Sequence, residues 1–183
     1  AAINFFRKEK KKSMKIMEML TEASIEYVKN QVKSGIDCFQ LFETYSGIIS
    51  NEDYKNFILP LSTKILLEAR QSGVPTIFFP KNFNEGLKYI NKEMCDYVSV
   101  DYDISLDKAR NLLDSEVGIQ GNMDPKIFYQ EIDEIENYLK SLIDFGSKNT
   151  DWIFNLGHGF RPDIDHIKVI YVVEWIKNAN WKR

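Results

Sequence analysis

The chain has 183 residues, 44% apolar and 28% charged, with a formal net charge of −3 at pH 7. That composition fits one globular domain with a core, and the slight acidity argues against a general nucleic-acid or membrane binder. No apolar stretch approaches the roughly 18 residues of a membrane span, no secretory signal pattern is present, and two cysteines are too few for a disulfide scaffold.

The chain begins with Ala1 rather than Met and opens on residues of helical character, so a fragment or processed product is expected. The basic run at 7–12 reads as a solvated helix start. Over 13–33, Ile16, Met19, Leu20, Ala23, Tyr27, Val28 and Val32 recur at spacings of three and four, predicting an amphipathic helix stopped by Gly35. Residues 38–42 read as a buried strand. Cys38 lies in that run and Cys95 beside another, so both are expected as buried, reduced thiols in a reducing compartment. Ser50-Asn51-Glu52-Asp53 resembles a capping box opening a second helix, with Tyr54, Phe57, Ile58, Leu61, Ile65 and Ala69 on one face. Pro60 should kink or split that helix.

Gly73-Val74-Pro75 ends the helix, and Thr76-Ile77-Phe78-Phe79 is the next strand. A short helix over 85–92, a strand over 97–100, a helix over 106–113 and a strand over 117–120 follow. Asp124-Pro125 supplies an N-cap and a first helical residue, predicting one helix to 145. A fifth strand over 152–155 precedes a last helix over 165–178, carrying Ile167, Ile170, Val173, Trp175 and Ile176.

Short apolar strands alternating with helices mean parallel strands joined by crossovers. Two architectures fit, an open doubly wound sheet and a (β/α)8 barrel. No Gly-rich phosphate fingerprint follows any strand, which weakens a dinucleotide-binding sheet. A barrel needs eight units and about 250 residues; this chain offers five strands.

In either architecture reactive groups gather at the carboxyl ends of the strands. Those ends read Phe42-Glu43-Thr44-Tyr45-Ser46-Gly47, Pro80-Lys81-Asn82, Asp101-Tyr102-Asp103, Gln120 to Pro125, and Asn155-Leu156-Gly157-His158-Gly159 running on to Asp163. Most members have structural readings. Asp124 caps its helix, Asp163 and Asp165 cap the last one, Gly47 and Gly121 make turns, Glu43 pairs with a cation beneath the site, and His166 is exposed in a first helical turn. The cysteines read as core, because neither has a His partner at a strand end. His158 stands apart. Two glycines flank it, lifting one imidazole clear of the strand with space around it. A zinc site would need His or Cys from several strand ends, and only His158 qualifies; chemistry without metal or cofactor is favoured.

These strand ends resemble the uroporphyrinogen decarboxylase family over almost the whole chain, in order and spacing. The residues carrying the resemblance are Gln40-Leu41-Phe42-Glu43-Thr44 with Gly47, Leu59-Pro60, Val74-Pro75 leading to Phe79-Pro80-Lys81, and Val100-Asp101-Tyr102. Gln120-Gly121-Asn122-Met123-Asp124-Pro125 and Asn155-Leu156-Gly157-His158-Gly159 with Pro162-Asp163 complete the set. The resemblance implies a (β/α)8 TIM barrel, of which residues 1–183 are the C-terminal portion, about five units. It implies a cytoplasmic, cofactor-free carboxy-lyase of haem biosynthesis that removes the four acetate carboxyls of uroporphyrinogen to give coproporphyrinogen. A homodimer is implied for the full-length protein, with no nucleic-acid or membrane partner.

By motif, His158 matches the imidazole that contacts a substrate carboxylate. Thr44 stands where the family usually has Ser, keeping the hydroxyl. Phe42 matches an apolar wall of the cleft, and Lys81 a lysine near its mouth. The loop Asn82-Phe83-Asn84-Glu85-Gly86 departs from the family's Gly-rich pattern. The family's Arg-rich loop, central Asp and Tyr, expected after its first three strands, have no counterpart here, so the chain alone is expected to be inactive. Two alternatives remain open: a truncated paralogue that binds tetrapyrroles or a partner without catalysis, and a related barrel corrinoid or thiol methyltransferase.

Overall fold

The computed structural model describes residues 2–181. Two helices, α1 (Ala2–Lys8) and α2 (Lys10–Lys33), lead into strand β1 (Phe39–Glu43). A short helix α3 (Asn51–Asp53) starts where Ser50 accepts a hydrogen bond from the Asp53 amide at 3.1 Å, the expected N-cap. Pro60 then acts as expected. The chain passes through a π turn, Tyr54–Ile58, in which the Leu59 amide donates to the Tyr54 carbonyl, before α4 (Leu59–Gln71) resumes with proline in its first turn. A ring that blocks the regular ladder is thus absorbed by a single widened turn.

Strand β2 (Thr76–Pro80) is buried along its whole length, as a central parallel strand should be. The expected helix over 85–92 is a 3₁₀ turn, Asn84–Tyr89. Strands β3 (Tyr97–Ser99) and β4 (Gly118–Gln120) flank α5 (Leu106–Leu112). The single helix expected over 125–145 is three pieces: a 3₁₀ turn Pro125–Tyr129, α6 (Ile132–Ser141) and α7 (Ile143–Lys148). Gln130 and Glu131 are extended, and Glu134 accepts from the Glu131 amide at 3.3 Å, so a new helix start interrupts the old one. Strand β5 (Trp152–Ile153) and α8 (His166–Asn178) complete the order.

All pairings are parallel and the strand order is β1-β2-β3-β4-β5. A doubly wound sheet reverses its order at a switch point; this one never does. With right-handed crossovers, an unreversed order puts every helix on the same face, the wrapping of a barrel. A side-chain contact shows the curl. Gln120 Nε2 on β4 donates to Gln40 Oε1 on β1 at 3.4 Å. In a flat sheet those strands would lie about 14 Å apart, three spacings of about 4.8 Å. The fold is therefore the (β/α)8 type, represented by five parallel strands with their helices.

The strand side chains divide cleanly. Phe78, Val98 and Ile119 point to the helices and are fully buried, while Gln40, Phe42, Phe79, Ser99 and Gln120 share the inner face. The helix-side core continues through Val28, Leu66, Ala69, Leu87, Ala109, Ile135, Leu139 and Val172.

Three burial expectations need correction. Cys38, one residue before β1, is exposed; Cys95 is buried, and desolvation pushes its thiol up to about 12. On α2 the buried positions are Ser13, Thr21 and Val28, whereas Ile16, Met19, Leu20 and Tyr27 are exposed. The helix packs on α4, with Val28 in the core and Ile25 and Val32 packed against it. On α8, Val172 is the buried residue, and Ile167, Ile170 and Val173 are exposed.

Candidate active site

The carboxyl ends of the strands form one face, and each strand-end loop is tied to the next by hydrogen bonds. The Lys81 amide donates to the Glu43 carbonyl at 3.1 Å, and the Lys81 carbonyl accepts from the Gly47 amide at 3.1 Å and from the Ser46 hydroxyl. Gly47 is more than a turn residue. A Cβ there would fall 2.8 Å from the Asn82 carbonyl oxygen, so only glycine allows this approach. Asn82 itself has φ of 60°, a conformation Asn tolerates better than most residues. Its amide donates to Asp101 Oδ2 at 2.6 Å, joining the second loop to the third. Asn122 Nδ2 donates to the carbonyls of Asp101 (2.8 Å) and Ile104 (2.6 Å), joining the fourth. The Gly157 amide donates to the Met123 carbonyl at 2.9 Å, joining the fifth.

The two glycines beside His158 differ. A Cβ on Gly157 would lie inside contact distance of the Tyr102 amide nitrogen and 2.9 Å from the Asp101 carbonyl carbon. Gly159 has open space around it. Only the first glycine is there for packing. It lets the β5 loop lie on the β3 loop, with the exposed imidazole of His158 one residue beyond.

His158 and Phe42 come from opposite ends of the sheet and line one cavity of about 460 Å³. Its walls are aromatic: Phe42 meets Phe79 edge-on at 5.9 Å, and Phe128 packs against Phe160 at 5.4 Å. Gln40, Ser99, Asn155 and His158 supply its polar groups. A mostly apolar cleft with a few placed polar groups is the usual form of a site for a large organic ligand. Phe42 is 65% exposed, an apolar ring held open on the inner face. Lys81 lies next door, in a cavity of about 310 Å³ that also contains His158. Thr44 is exposed beyond β1 and lines neither cavity. Phe42, Lys81 and His158 are thus gathered, and Thr44 stands outside the group.

The structural readings divide as well. Asp124 Oδ1 accepts from the Lys126 amide at 2.8 Å and Asp165 Oδ1 from the Ile167 amide at 2.9 Å, so both are caps. Asp163 is not a cap; it accepts from the Tyr129 hydroxyl at 2.9 Å. His166 is exposed. Glu43 has no ion pair among the described residues; burial pushes its carboxyl above the ordinary carboxylate range, with an opposing pull from the Tyr45 backbone. Sequence reasoning places Gln120 at a strand end and Gln40 in a motif, but misses the polar inner layer they form with Ser99. Its signal was present: polar residues at inward positions of otherwise apolar strands. Among the described residues no three His, Cys, Asp or Glu side chains converge on a possible metal position.

Comparison with known proteins follows the same lines. The family model described as Uroporphyrinogen decarboxylase (URO-D) matches residues 1–179. The chain is 32% identical over 167 residues to the uroporphyrinogen decarboxylase of Geobacter sulfurreducens, covering 91% of this chain and 49% of that protein. It is 35% identical over 161 residues to that of Geotalea daltonii, covering 88% and 47%. The chain therefore spans about half the length of the curated relatives it matches. A methyltransferase from Methanosarcina mazei superposes with a TM-score of 0.74 at 17% identity, over 97% of this chain and 53% of that one, a likeness of fold.

Proposed function

Since the chain belongs to the uroporphyrinogen decarboxylase family, we propose that it is the C-terminal portion of a barrel that decarboxylates uroporphyrinogen to coproporphyrinogen. The observation that carries this reading is the cavity shared by Phe42 and His158, an aromatic cleft with one imidazole at its rim. A tetrapyrrole macrocycle suits such walls, and its carboxylates suit the rim.

The chemistry needs proton transfer and placement. A proton delivered to the ring carbon next to the one bearing an acetate arm places positive charge on the arm-bearing carbon and turns that pyrrole into an electron sink. The bond from the methylene to the carboxylate breaks, its electron pair enters the ring, and carbon dioxide leaves. The exocyclic methylene then takes a proton to become methyl, and the ring proton is released. One proton is consumed per carboxyl lost. His158 hydrogen-bonds a substrate carboxylate and holds the arm in register. Phe42 and Phe79 form the wall against which the pyrrole lies and keep water from it. Lys81 serves a carboxylate at the mouth, and the Thr44 hydroxyl meets the substrate from outside the cleft.

The test is direct: incubate the full-length protein with uroporphyrinogen and follow coproporphyrinogen. Its formation is expected, and its absence overturns the proposal.

A further inference from the structure

The cavity beside the aromatic cleft has a chemistry of its own. It is about 310 Å³ and takes its polar lining from Lys81, Tyr102, Asp124, Lys126, His158 and Arg161. His158, Gly159 and Phe160 line both cavities, so the two adjoin. None of the three cations has an ion-pair partner among the described residues. The one carboxylate in the lining, Asp124, has Oδ1 occupied by the Lys126 amide at 2.8 Å. Three cations line one compartment against one carboxylate, with Asp163 near Arg161 through their shared neighbour Tyr129, and the remaining positive charge is one that an anion would satisfy.

The two compartments would treat a carboxylate differently. Losing carbon dioxide requires a carboxylate that is not stabilised in its ground state, because interactions equally strong before reaction do not lower the barrier. An apolar cleft meets that need; a pocket of three cations opposes it. We propose that Lys126 and Arg161, with Lys81, hold a carboxylate arm that keeps its carboxyl group, namely a propionate of the tetrapyrrole. The assignment rests on the functional reading above and makes Lys126 and Arg161 binding residues that orient the ring so that an acetate arm enters the cleft.

The experiment titrates the full-length protein with two unreactive oxidised porphyrins, uroporphyrin (acetates and propionates) and coproporphyrin (propionates only). Lys126 and Arg161 are both exposed, so their replacement leaves the fold intact. The K126Q/R161Q variant should weaken both ligands at least about tenfold, the low end for one charge-assisted contact; K126R/R161K should restore binding. In the unmodified protein, coproporphyrin affinity should fall with added sodium chloride. Unchanged affinities in K126Q/R161Q, or salt-insensitive coproporphyrin binding, overturn the inference while porphyrin binding itself keeps the functional reading. Weakening of uroporphyrin alone also overturns it, since the rim would then hold acetates. No binding of either porphyrin by a protein that still forms coproporphyrinogen overturns the inference alone, whereas failure to form coproporphyrinogen removes the functional reading.

Discussion

The Asn82 backbone amide donates to Asp101 Oδ2 at 2.6 Å, and the other carboxylate oxygen of Asp101 accepts from the Asp103 amide at 3.0 Å. Asp101 is 1% exposed. Its carbonyl is also taken, by Asn122. One buried residue at the end of β3 therefore fixes three loops, the loop after β2 and its own through its carboxylate and the loop after β4 through its carbonyl. Lys81, next to Asn82, owes its position to this clamp. Asp101→Ala leaves two amides without partners and should cost about 2–4 kcal/mol, read by urea unfolding. Asp101→Asn keeps one acceptor and should fall between. A loss below about 0.5 kcal/mol in the alanine variant, the scale of an ordinary surface change, would show that the loops are fixed by something else.

The glycines around His158 make a matched pair. Gly157→Ala forces a methyl against the Tyr102 amide and the Asp101 carbonyl carbon, both backbone atoms that cannot move without shifting the β3 loop. We expect a loss of about 1–3 kcal/mol, typical of overpacking. Gly159→Ala enters open space and should change stability by less than about 0.5 kcal/mol. Thermal melting of the two variants side by side checks the contrast; equal losses would sink it.

Much of the fold was legible because its signals are local. Thr76-Ile77-Phe78-Phe79 and Val98-Ser99 are short apolar runs between turn residues, and each became a parallel strand. Ser50 and Asp165 cap because their side chains reach amides two or three residues on. What failed was what depends on partners. The α2 periodicity correctly predicts a helix, but which face is covered depends on α4, so the exposure of Met19 and Leu20 could not be read from spacing. The break at Gln130 was hidden because Glu131 and Glu134 are good helix residues that here make a fresh start. Phe42 and His158 were visible as strand-end residues; that they share one cavity depends on the curl recorded by Gln40 and Gln120. Arg161, within the fifth strand end, and Lys126 have no role legible in the sequence, because exposed cations are ordinary until two loops bring them together.

Glu43 gives the pH dependence. Burial raises its carboxyl above the usual 4.5. In the folded state the group holds its proton more tightly than in the unfolded chain. The resulting stability is fully present below the unfolded value and is lost as pH rises through the raised folded value. Glu43→Gln removes the charge that burial opposes. Denaturant unfolding should therefore show Glu43→Gln to be more stable than the unmodified protein at pH 7, with the difference shrinking toward pH 4. A difference of the same size at both pH values would mean that packing, and not ionisation, is being measured.

His158 offers a clean separation of function from fold. Its imidazole is exposed at the shared rim of the two cavities, so His158→Asn removes no buried contact. Unfolding stability should stay within about 0.5 kcal/mol. Under the proposed function the imidazole holds a substrate carboxylate, a charge-assisted bond worth about 1.5–3 kcal/mol. At 1.36 kcal/mol per tenfold, kcat/KM for uroporphyrinogen in the full-length protein should fall about 10- to 100-fold. Phe42→Ala, which opens the aromatic wall on the facing strand, should raise KM more than it lowers kcat, because it removes contact with substrate and transition state alike. Steady-state kinetics of both variants, paired with their unfolding curves, decide the matter. Unchanged kinetics in His158→Asn would take the imidazole out of the site, and kinetics that fall only in step with stability would make it structural.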